Sequence, residues 1–238
     1  MKKWAKAILI LMVICVALIM ATVIYAYDYY HAIGIEAYIT SNDIVAVTQT
    51  DDGYFFDGPG TENALIFYPG GKVDEKAYSP LLNSLAEQGL DCFLLQMPLH
   101  LAIFDGNKAE DIVSAYDYKH YYLAGHSLGG VMASSYSASN KDDVSGLFML
   151  GAYTISNMNS AKYPVVFIYG TNDKVLNREK LEKSFPLVPS DYSVVKIEGG
   201  NHAQFGSYAE QKGDGVATIS AEEQWQITVD TILETVKG

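Results

Sequence analysis

The sequence predicts an α/β domain with a mainly parallel central sheet and helices on both faces, preceded by one transmembrane helix. Three observations lead to this prediction. A long apolar run opens the chain, apolar strand-like segments then alternate with helical patterns, and a glycine-rich turn joins one strand to one helix. A chain of 238 residues, with 49% hydrophobic and 18% charged residues, suits one globular domain plus the amino-terminal segment.

Residues 1–27 form the predicted membrane anchor. Lys2, Lys3 and Lys6 precede an uncharged apolar run over residues 7–27. A helix of about 21 residues crosses the ~30 Å hydrocarbon layer, whereas the apolar region of a signal peptide has about 7–15 residues. We therefore expect a single-pass protein of the cell membrane, with the lysines in the cytoplasm and the domain outside. The alternative is a secreted protein whose signal peptide has been cleaved.

A linker over residues 28–43 and the main domain over residues 44–238 follow the anchor. Segments 44–50 and 54–57 flank an Asp-Asp-Gly turn and predict a β-hairpin at a sheet edge. Central strands are predicted at 64–69, 90–96, 121–125, 146–150, 164–169 and 192–197. Helices are predicted at 75–88, 108–117, 128–138, 178–185 and 221–236, the last with Ser220 and Glu223 as a capping box.

Charge and cysteine content exclude several classes of function. Residues 1–27 contain three lysines and no acid, so removing them takes the net charge from −12 to −15. So acidic a domain argues against nucleic acid as a partner and against docking onto anionic lipid by charge. Cys15 lies in the anchor and Cys92 in an apolar strand, so the domain cannot form an internal disulfide. His100 is isolated from other ligand types, and we expect neither a metal nor a cofactor.

The glycine-rich turn carries the strongest functional signal. An apolar strand leads into Gly125-His126-Ser127-Leu128-Gly129, a match to G-x-S-x-G, and a helical segment follows. A strained strand-to-helix turn pushes the serine hydroxyl outward, and its glycines avoid clashes with adjacent backbone. We therefore predict Ser127 as a nucleophile. A phosphate- or dinucleotide-binding turn is the alternative, but Ser127 occupies the position where G-x-G-x-x-G needs its second glycine.

A serine nucleophile needs a base, and the chain offers one candidate. Of the five histidines only His202 follows Ser127, as the order Ser, acid, His requires. It lies in the loop Glu198–Gly206, directly after an apolar strand. Carboxyl ends of parallel strands are where such sheets hold their chemistry. The sequence therefore predicts His202 as the general base.

Position relative to the strands selects the acid. Asp173 follows the strand 164–169 and so lies at the carboxyl edge of the sheet. Asp142, Asp143 and Asp191 precede strands and so lie at the opposite edge. We predict that Asp173 orients the base. Glu198 is the reserve candidate.

The oxyanion donors are predicted from two backbone amides. One is the N–H of Leu128, directly after the nucleophile and at the start of a helix. The other comes from the loop after the strand 64–69, where Pro69-Gly70-Gly71-Lys72 follows. We assign this second donor to Gly71, with Lys72 as the alternative.

With these motifs the sequence resembles the α/β-hydrolase superfamily, in particular its small, cap-less, dienelactone-hydrolase-like bacterial members. The resemblance covers residues 44–236 and rests on the strand-PGG loop, the G-H-S-x-G turn and the G-G-N-H-A-Q-F-G loop. It implies an α/β-hydrolase fold and a cofactor-free serine hydrolase acting on carboxylic esters, with Ser127, Asp173 and His202 as its triad. One departure is Pro69, where the family's oxyanion loop usually begins with His.

The resemblance leaves the reaction partly open. Acyl transfer and lactone or dienelactone hydrolysis use the same triad, and a tethered binding module could keep the fold without catalysis. Residues 151–163, where larger relatives insert a cap, form only a short connection. We therefore expect an open site for small ester substrates, walled by the loop 97–104 and the tail 203–219.

Overall fold

A computed structural model describes residues 3–237, so Lys2 of the predicted anchor lies outside the described residues. Helix α1 runs from Lys3 to Tyr27, and its stretch Trp4–Tyr25 is not buried against the rest of the protein. This helix is long and apolar enough to cross a membrane, and a signal sequence would have the same character.

The main domain is built on an eight-stranded sheet with strand order β1-β2-β4-β3-β5-β6-β7-β8. The hairpin β1–β2 joins β4 in antiparallel fashion, and all pairs from β4 to β8 are parallel. The strands are β1 (Ala46–Thr50), β2 (Gly53–Asp57), β3 (Asn63–Tyr68), β4 (Asp91–Leu95), β5 (His120–His126), β6 (Gly146–Leu150), β7 (Val165–Gly170) and β8 (Ser193–Ile197). The predicted mainly parallel α/β sheet is confirmed.

Helices cover both faces of the sheet and divide the core in two. They are α2 (Ser79–Glu87), α3 (Ala109–Ala115), α4 (Leu128–Ser139), α5 (Arg178–Ser184) and α6 (Ala221–Lys237). One core lies beneath α2 and α6, and the other lies beneath α3, α4 and α5. Alternate residues of β3 enter different cores, with Leu65 and Phe67 in the first and Ile66 and Tyr68 in the second.

Two predicted elements differ from the structure. The helix expected at 75–88 starts as a 3₁₀ turn, Glu75–Tyr78, and becomes α-helical at Ser79, where Pro80 fits the first turn. The strand expected in the centre at 192–197 is instead the edge strand β8, and Val194 is 36% exposed. Its apolar residues suggested burial, but β8 has a neighbouring strand on one side only.

The segment predicted as a linker is bonded to the domain near the sheet's carboxyl edge. Tyr30 donates its N–H to Lys72 O (2.8 Å) and accepts the N–H of Asp74 (2.8 Å). Further along, the N–H of Ile33 donates to Ser207 O (2.8 Å). The end of α1 is therefore attached to the loops that follow β3 and β8.

Candidate active site

Ser127 occupies the sharp turn between β5 and α4. Its backbone has φ 51° and ψ −120°, a left-handed conformation that typically costs about 1–3 kcal/mol outside glycine. A Cβ on Gly125 would lie 2.6 Å from the backbone of Gly129, and one on Gly129 would lie 2.1 Å from Tyr68 O. Both glycines are therefore required for the close approach of β3, β5 and α4 that holds the turn.

His202 and Asp173 form a buried pair at the ends of β8 and β7. The distance from His202 Nδ1 to Asp173 Oδ2 is 2.8 Å, and the two side chains are 1% and 0% exposed. The other carboxylate oxygen, Oδ1, accepts the N–H groups of Val175 (2.9 Å) and Leu176 (2.8 Å). A carboxylate held by three donors fixes the ring of His202 with its Nδ1–H toward Asp173 and its Nε2 free to accept a proton.

Ser127 and His202 face one cavity of about 250 Å³. His202 Nε2 is buried and has no hydrogen-bond partner among residues 3–237, and no hydrogen bond joins it to the hydroxyl of Ser127. In enzymes without substrate this bond is often long and shortens when substrate binds. The structure therefore brings all three predicted residues together, with the histidine's proton-accepting nitrogen unpaired beside the serine.

The two predicted oxyanion donors also adjoin. A Cβ on Gly71 would lie 3.1 Å from Leu128 Cδ2, so the two residues are in contact range. Within residues 3–237, the N–H groups of Gly71 and Leu128 have no hydrogen-bond acceptor. The alternative donor, Lys72, already gives its N–H to His100 O at 2.7 Å. The geometry therefore favours Gly71 over Lys72.

The neighbouring His126 is a feature that sequence reasoning set aside, because it precedes Ser127. Its ring is 1% exposed, and its centroid lies 4.4 Å from that of His202. The Tyr78 hydroxyl is hydrogen-bonded to His126 Nδ1 (2.8 Å) and accepts the N–H of Gly70 (3.0 Å). Burial and the nearby His202 hold the pKa of His126 well below its ordinary value, so this ring stays neutral.

The aspartates that were not chosen as the acid lie before strands, at the edge of the sheet opposite Asp173, as predicted. Asp142 and Asp143 are exposed before β6, and Asp191 is exposed before β8. The reserve candidate Glu198 is exposed as well, and the carboxylate bonded to His202 is that of Asp173. Within the described residues, no group of three His, Cys, Asp or Glu side chains is arranged to hold a metal.

The walls of the cavity differ from the expected ones. They are Leu128, Val131, Gly151, Ala152, Tyr153, Val175, Leu176 and Asn177, which belong to α4 and to the loops after β6 and β7. The loop 97–104 borders only the oxyanion side, where Leu101 lies against Gly71. The tail 203–219 lines a separate cavity next to Trp225 of α6. None of the residues 203–219 lines the cavity beside Ser127. After the 3₁₀ turn Ala203–Phe205, the N–H of Ser207 donates to Ala77 O (2.7 Å), and Ser207 O accepts the N–H of Ile33 (2.8 Å).

The chain has relatives among known families and solved structures. A family model described as "Alpha/beta hydrolase family" matches residues 64–226, from β3 into α6. No curated protein sequence matches the chain. A predicted CIB-like hydrolase from Thermoplasma acidophilum is similar with TM-score 0.60 and 15% identity, over 80% of this chain and 99% of that one.

Two further structures support the same fold. A dienelactone hydrolase from Anabaena variabilis is similar with TM-score 0.59 and 13% identity, over 82% of this chain and 98% of its own. Est1E from Butyrivibrio proteoclasticus is similar with TM-score 0.57 and 13% identity, over 82% and 100%. Identities this low support a shared fold, whereas the family model matches more than half of the sequence directly. The chain belongs to the alpha/beta hydrolase family.

Proposed function

We propose that the protein is a serine hydrolase that cleaves small carboxylic esters without a cofactor. The observation that carries the proposal is the buried Asp173–His202 pair, whose free Nε2 faces the same cavity as Ser127. A serine hydroxyl becomes a nucleophile when such an oriented base takes its proton. The strained turn at Ser127 supports the same assignment, because such strain concentrates at functional sites.

The reaction can be derived from these positions. Ser127 Oγ attacks the ester carbonyl carbon while His202 Nε2 takes the hydroxyl proton, and Asp173 stabilises the imidazolium. The carbonyl oxygen becomes an oxyanion that accepts the N–H groups of Gly71 and Leu128. Collapse expels the alcohol, which takes the proton from His202 and leaves an acyl-serine. Water then attacks the acyl-serine by the same steps in reverse and releases the acid.

Related reactions use the same groups. One similar structure is a dienelactone hydrolase, and a lactone is a cyclic ester that the same attack would open. An alcohol acceptor in place of water would give acyl transfer. The carboxylic ester is the proposed substrate because its hydrolysis needs only water and the groups described. Catalysis is favoured over a non-catalytic binding module because such a module would not need an unpaired base beside the serine.

A fluorophosphonate probe, which phosphonylates activated serines, tests the nucleophile. The full chain in mild detergent should be labelled at Ser127, and Ser127→Ala should lose both labelling and esterase activity. Ser139→Ala changes an exposed serine at the far end of the same helix and should label as the wild type does. Retained labelling in folded Ser127→Ala would remove the nucleophile assignment. An unlabelled wild type would favour the non-catalytic binding module.

The proposed location is the outer face of the cell membrane, with α1 as an uncleaved anchor. Lysines at the amino end of α1 favour a cytoplasmic amino terminus. A protease added to intact spheroplasts should then digest the domain, while membranes washed in high salt should retain the undigested protein. Release of a soluble form beginning near Tyr27 would instead establish signal cleavage.

A further inference from the structure

The loop 97–104 carries exposed apolar side chains that the proposed chemistry does not use. Leu99, Ile103 and Phe104 are 43%, 61% and 60% exposed. We call these three residues the loop patch. Other large exposed apolar residues between positions 28 and 237 are scattered along the chain, at Ile33, Ile44, Ile155, Val194 and Val216. Three such side chains on one short loop mark a surface that contacts something apolar.

The loop patch lies beside the carboxyl end of α1. Leu99 and His100 line a groove together with Tyr27 and Tyr29, and Asp105 and Lys108 also line it. The rings of His100 and Tyr29 stack with centroids 3.9 Å apart. Tyrosines at a helix end are the side chains that anchor a membrane span at the headgroup level. Leu99 of the loop patch therefore lies next to the point at which α1 would leave the bilayer, and Ile103 and Phe104 follow it on the same loop.

The junction between α1 and the domain holds this arrangement in place. Lys72 Nζ bonds the carboxylate of Asp28 at 2.8 Å and lies 4.2 Å from the centroid of the Tyr25 ring. The backbone of Tyr30 pairs with Lys72 and Asp74 on either side of Val73. The chain that leaves the helix is thus bonded to the loop after β3, which places the end of α1 beside the loop that carries the loop patch.

The same loop borders the candidate active site. His100 O accepts the N–H of Lys72, and Leu101 Cδ2 lies 3.4 Å from the position of a Cβ on Gly71. The loop that carries the loop patch thus contacts the oxyanion side of the site through Leu101 and the end of α1 through Leu99 and His100. The loop that carries the loop patch therefore also contacts the loop that supplies Gly71.

We propose that the loop patch inserts into the outer interface of the bilayer that α1 spans, so that the oxyanion side of the site opens onto the lipid surface. The proposal depends on the insertion of α1 and not on ester hydrolysis. Charge alone would not bring a domain of net charge −15 to an anionic membrane. Contact must therefore come from apolar side chains beside the anchor, which the loop patch supplies.

Depth-dependent fluorescence quenching tests the proposal on the full chain in phosphatidylcholine vesicles that contain nitroxide lipids. Phe104→Cys in a Cys15→Ser background provides one accessible thiol for a polarity-sensitive nitrobenzoxadiazole label, since Cys92 is 0% exposed. The matched control is Ile44→Cys, because Ile44 is 57% exposed and precedes β1 at the opposite edge of the sheet.

We expect label at position 104 to shift to the blue and to be quenched several-fold more than label at position 44. Label on the native Cys15 should be quenched more strongly still by deep nitroxides, which establishes that α1 is inserted. Equal, weak quenching at positions 104 and 44 would overturn the proposal, as would an unquenched Cys15. Ile103→Cys gives a second position in the loop patch if Phe104→Cys does not fold. Fluorophosphonate labelling of each variant reports the catalytic proposal separately.

Discussion

Asp173 and His202 are held by the ends of β7 and β8, whereas Gly71 is held by segments from outside the sheet. The carboxylate of Asp173 is bonded by His202 and by backbone N–H groups of its own loop. The loop of Gly71 is bonded instead by His100 and by Tyr30, the latter only a few residues past α1. The acid–base half of the candidate site is thus part of the sheet edge. The loop of Gly71, which we call the oxyanion half, is joined to the end of α1.

This difference determines which groups of the candidate site a substitution near α1 can affect. A change near α1 can reach the loop of Gly71 through direct hydrogen bonds, but no such contact links α1 to Asp173 among the described residues. Tyr78 is the exception, since its hydroxyl bonds the loop at Gly70 and also bonds His126 beside His202. Variants on each side of this division, and at Tyr78, should therefore have effects of different size.

The largest effect is expected in the acid–base half. Asp173→Asn keeps the size of the side chain but removes the charge that fixes His202 in its productive tautomer. We expect kcat to fall by roughly 10⁴-fold with the fold intact, measured by ester hydrolysis and circular dichroism. Asp191→Asn, at the opposite edge of the sheet, is the control and should change kcat little. An exchange of the two results would contradict the strand-edge argument.

The positions of Ser127, Asp173 and His202 at one edge of the sheet could be predicted from the sequence because they depend on chain order and on strand ends. Strands with apolar residues on both faces, such as β3 and β5, are evident as apolar runs, and the loops after such parallel strands must lie at one edge of the sheet. The edge position of β8 could not be derived in this way. Strand order depends on long-range pairing, and an apolar edge strand has the same local pattern as a central one.

The surroundings of the site were less predictable for the same reason. The bond between Tyr78 and His126 joins residues 48 positions apart, and neither belongs to a motif that implies the other. The attachment of Tyr30 to Lys72 is equally remote, so residues 28–43 had only the composition of a linker. The loop 97–104 was expected as a wall of the pocket, but its side chains border the oxyanion loop and solvent.

A moderate effect is expected at Tyr78, where the two halves meet. Tyr78→Phe keeps the ring but leaves the N–H of Gly70 and the Nδ1 of His126 without their partner. An orphaned buried group costs about 1–3 kcal/mol. If half of that cost appears in the transition state, kcat should fall by roughly two- to tenfold while KM changes little.

Tyr163→Phe is the matched control for this variant. It also removes a buried tyrosine hydroxyl, one that donates to Ser137 O (3.0 Å) away from the cavity. Its loss should lower thermal stability without lowering kcat in the folded protein. If both variants lowered kcat equally, the role of Tyr78 would be general stability, and the two halves of the site would not be linked through its hydroxyl.

The smallest effect is expected on the preferred length of the acyl chain, which the cavity in the acid–base half should determine. The cavity beside Ser127 has a volume of about 250 Å³, and its apolar walls include Val131 and Leu176. Each buried methylene contributes about 0.8 kcal/mol, or roughly fourfold in kcat/KM, until the cavity is full. We therefore expect kcat/KM for p-nitrophenyl esters to rise to an acyl length of about four to six carbons and then to fall, because further methylenes stay in water.

Two variants test whether the acid–base half or the oxyanion half determines the preferred acyl length. Val131→Ala removes two methyl groups from a half-buried position of α4 that lines the cavity. The optimum should then move to acyl chains about one to two carbons longer. Leu99→Ala, in the loop patch on the oxyanion side, should leave the optimum unchanged. A steady rise through chains of about twelve carbons in the wild type would mean that the acyl chain lies along the apolar surface toward α1, outside the cavity. The oxyanion half, with its contact to the end of α1, would then select the substrate.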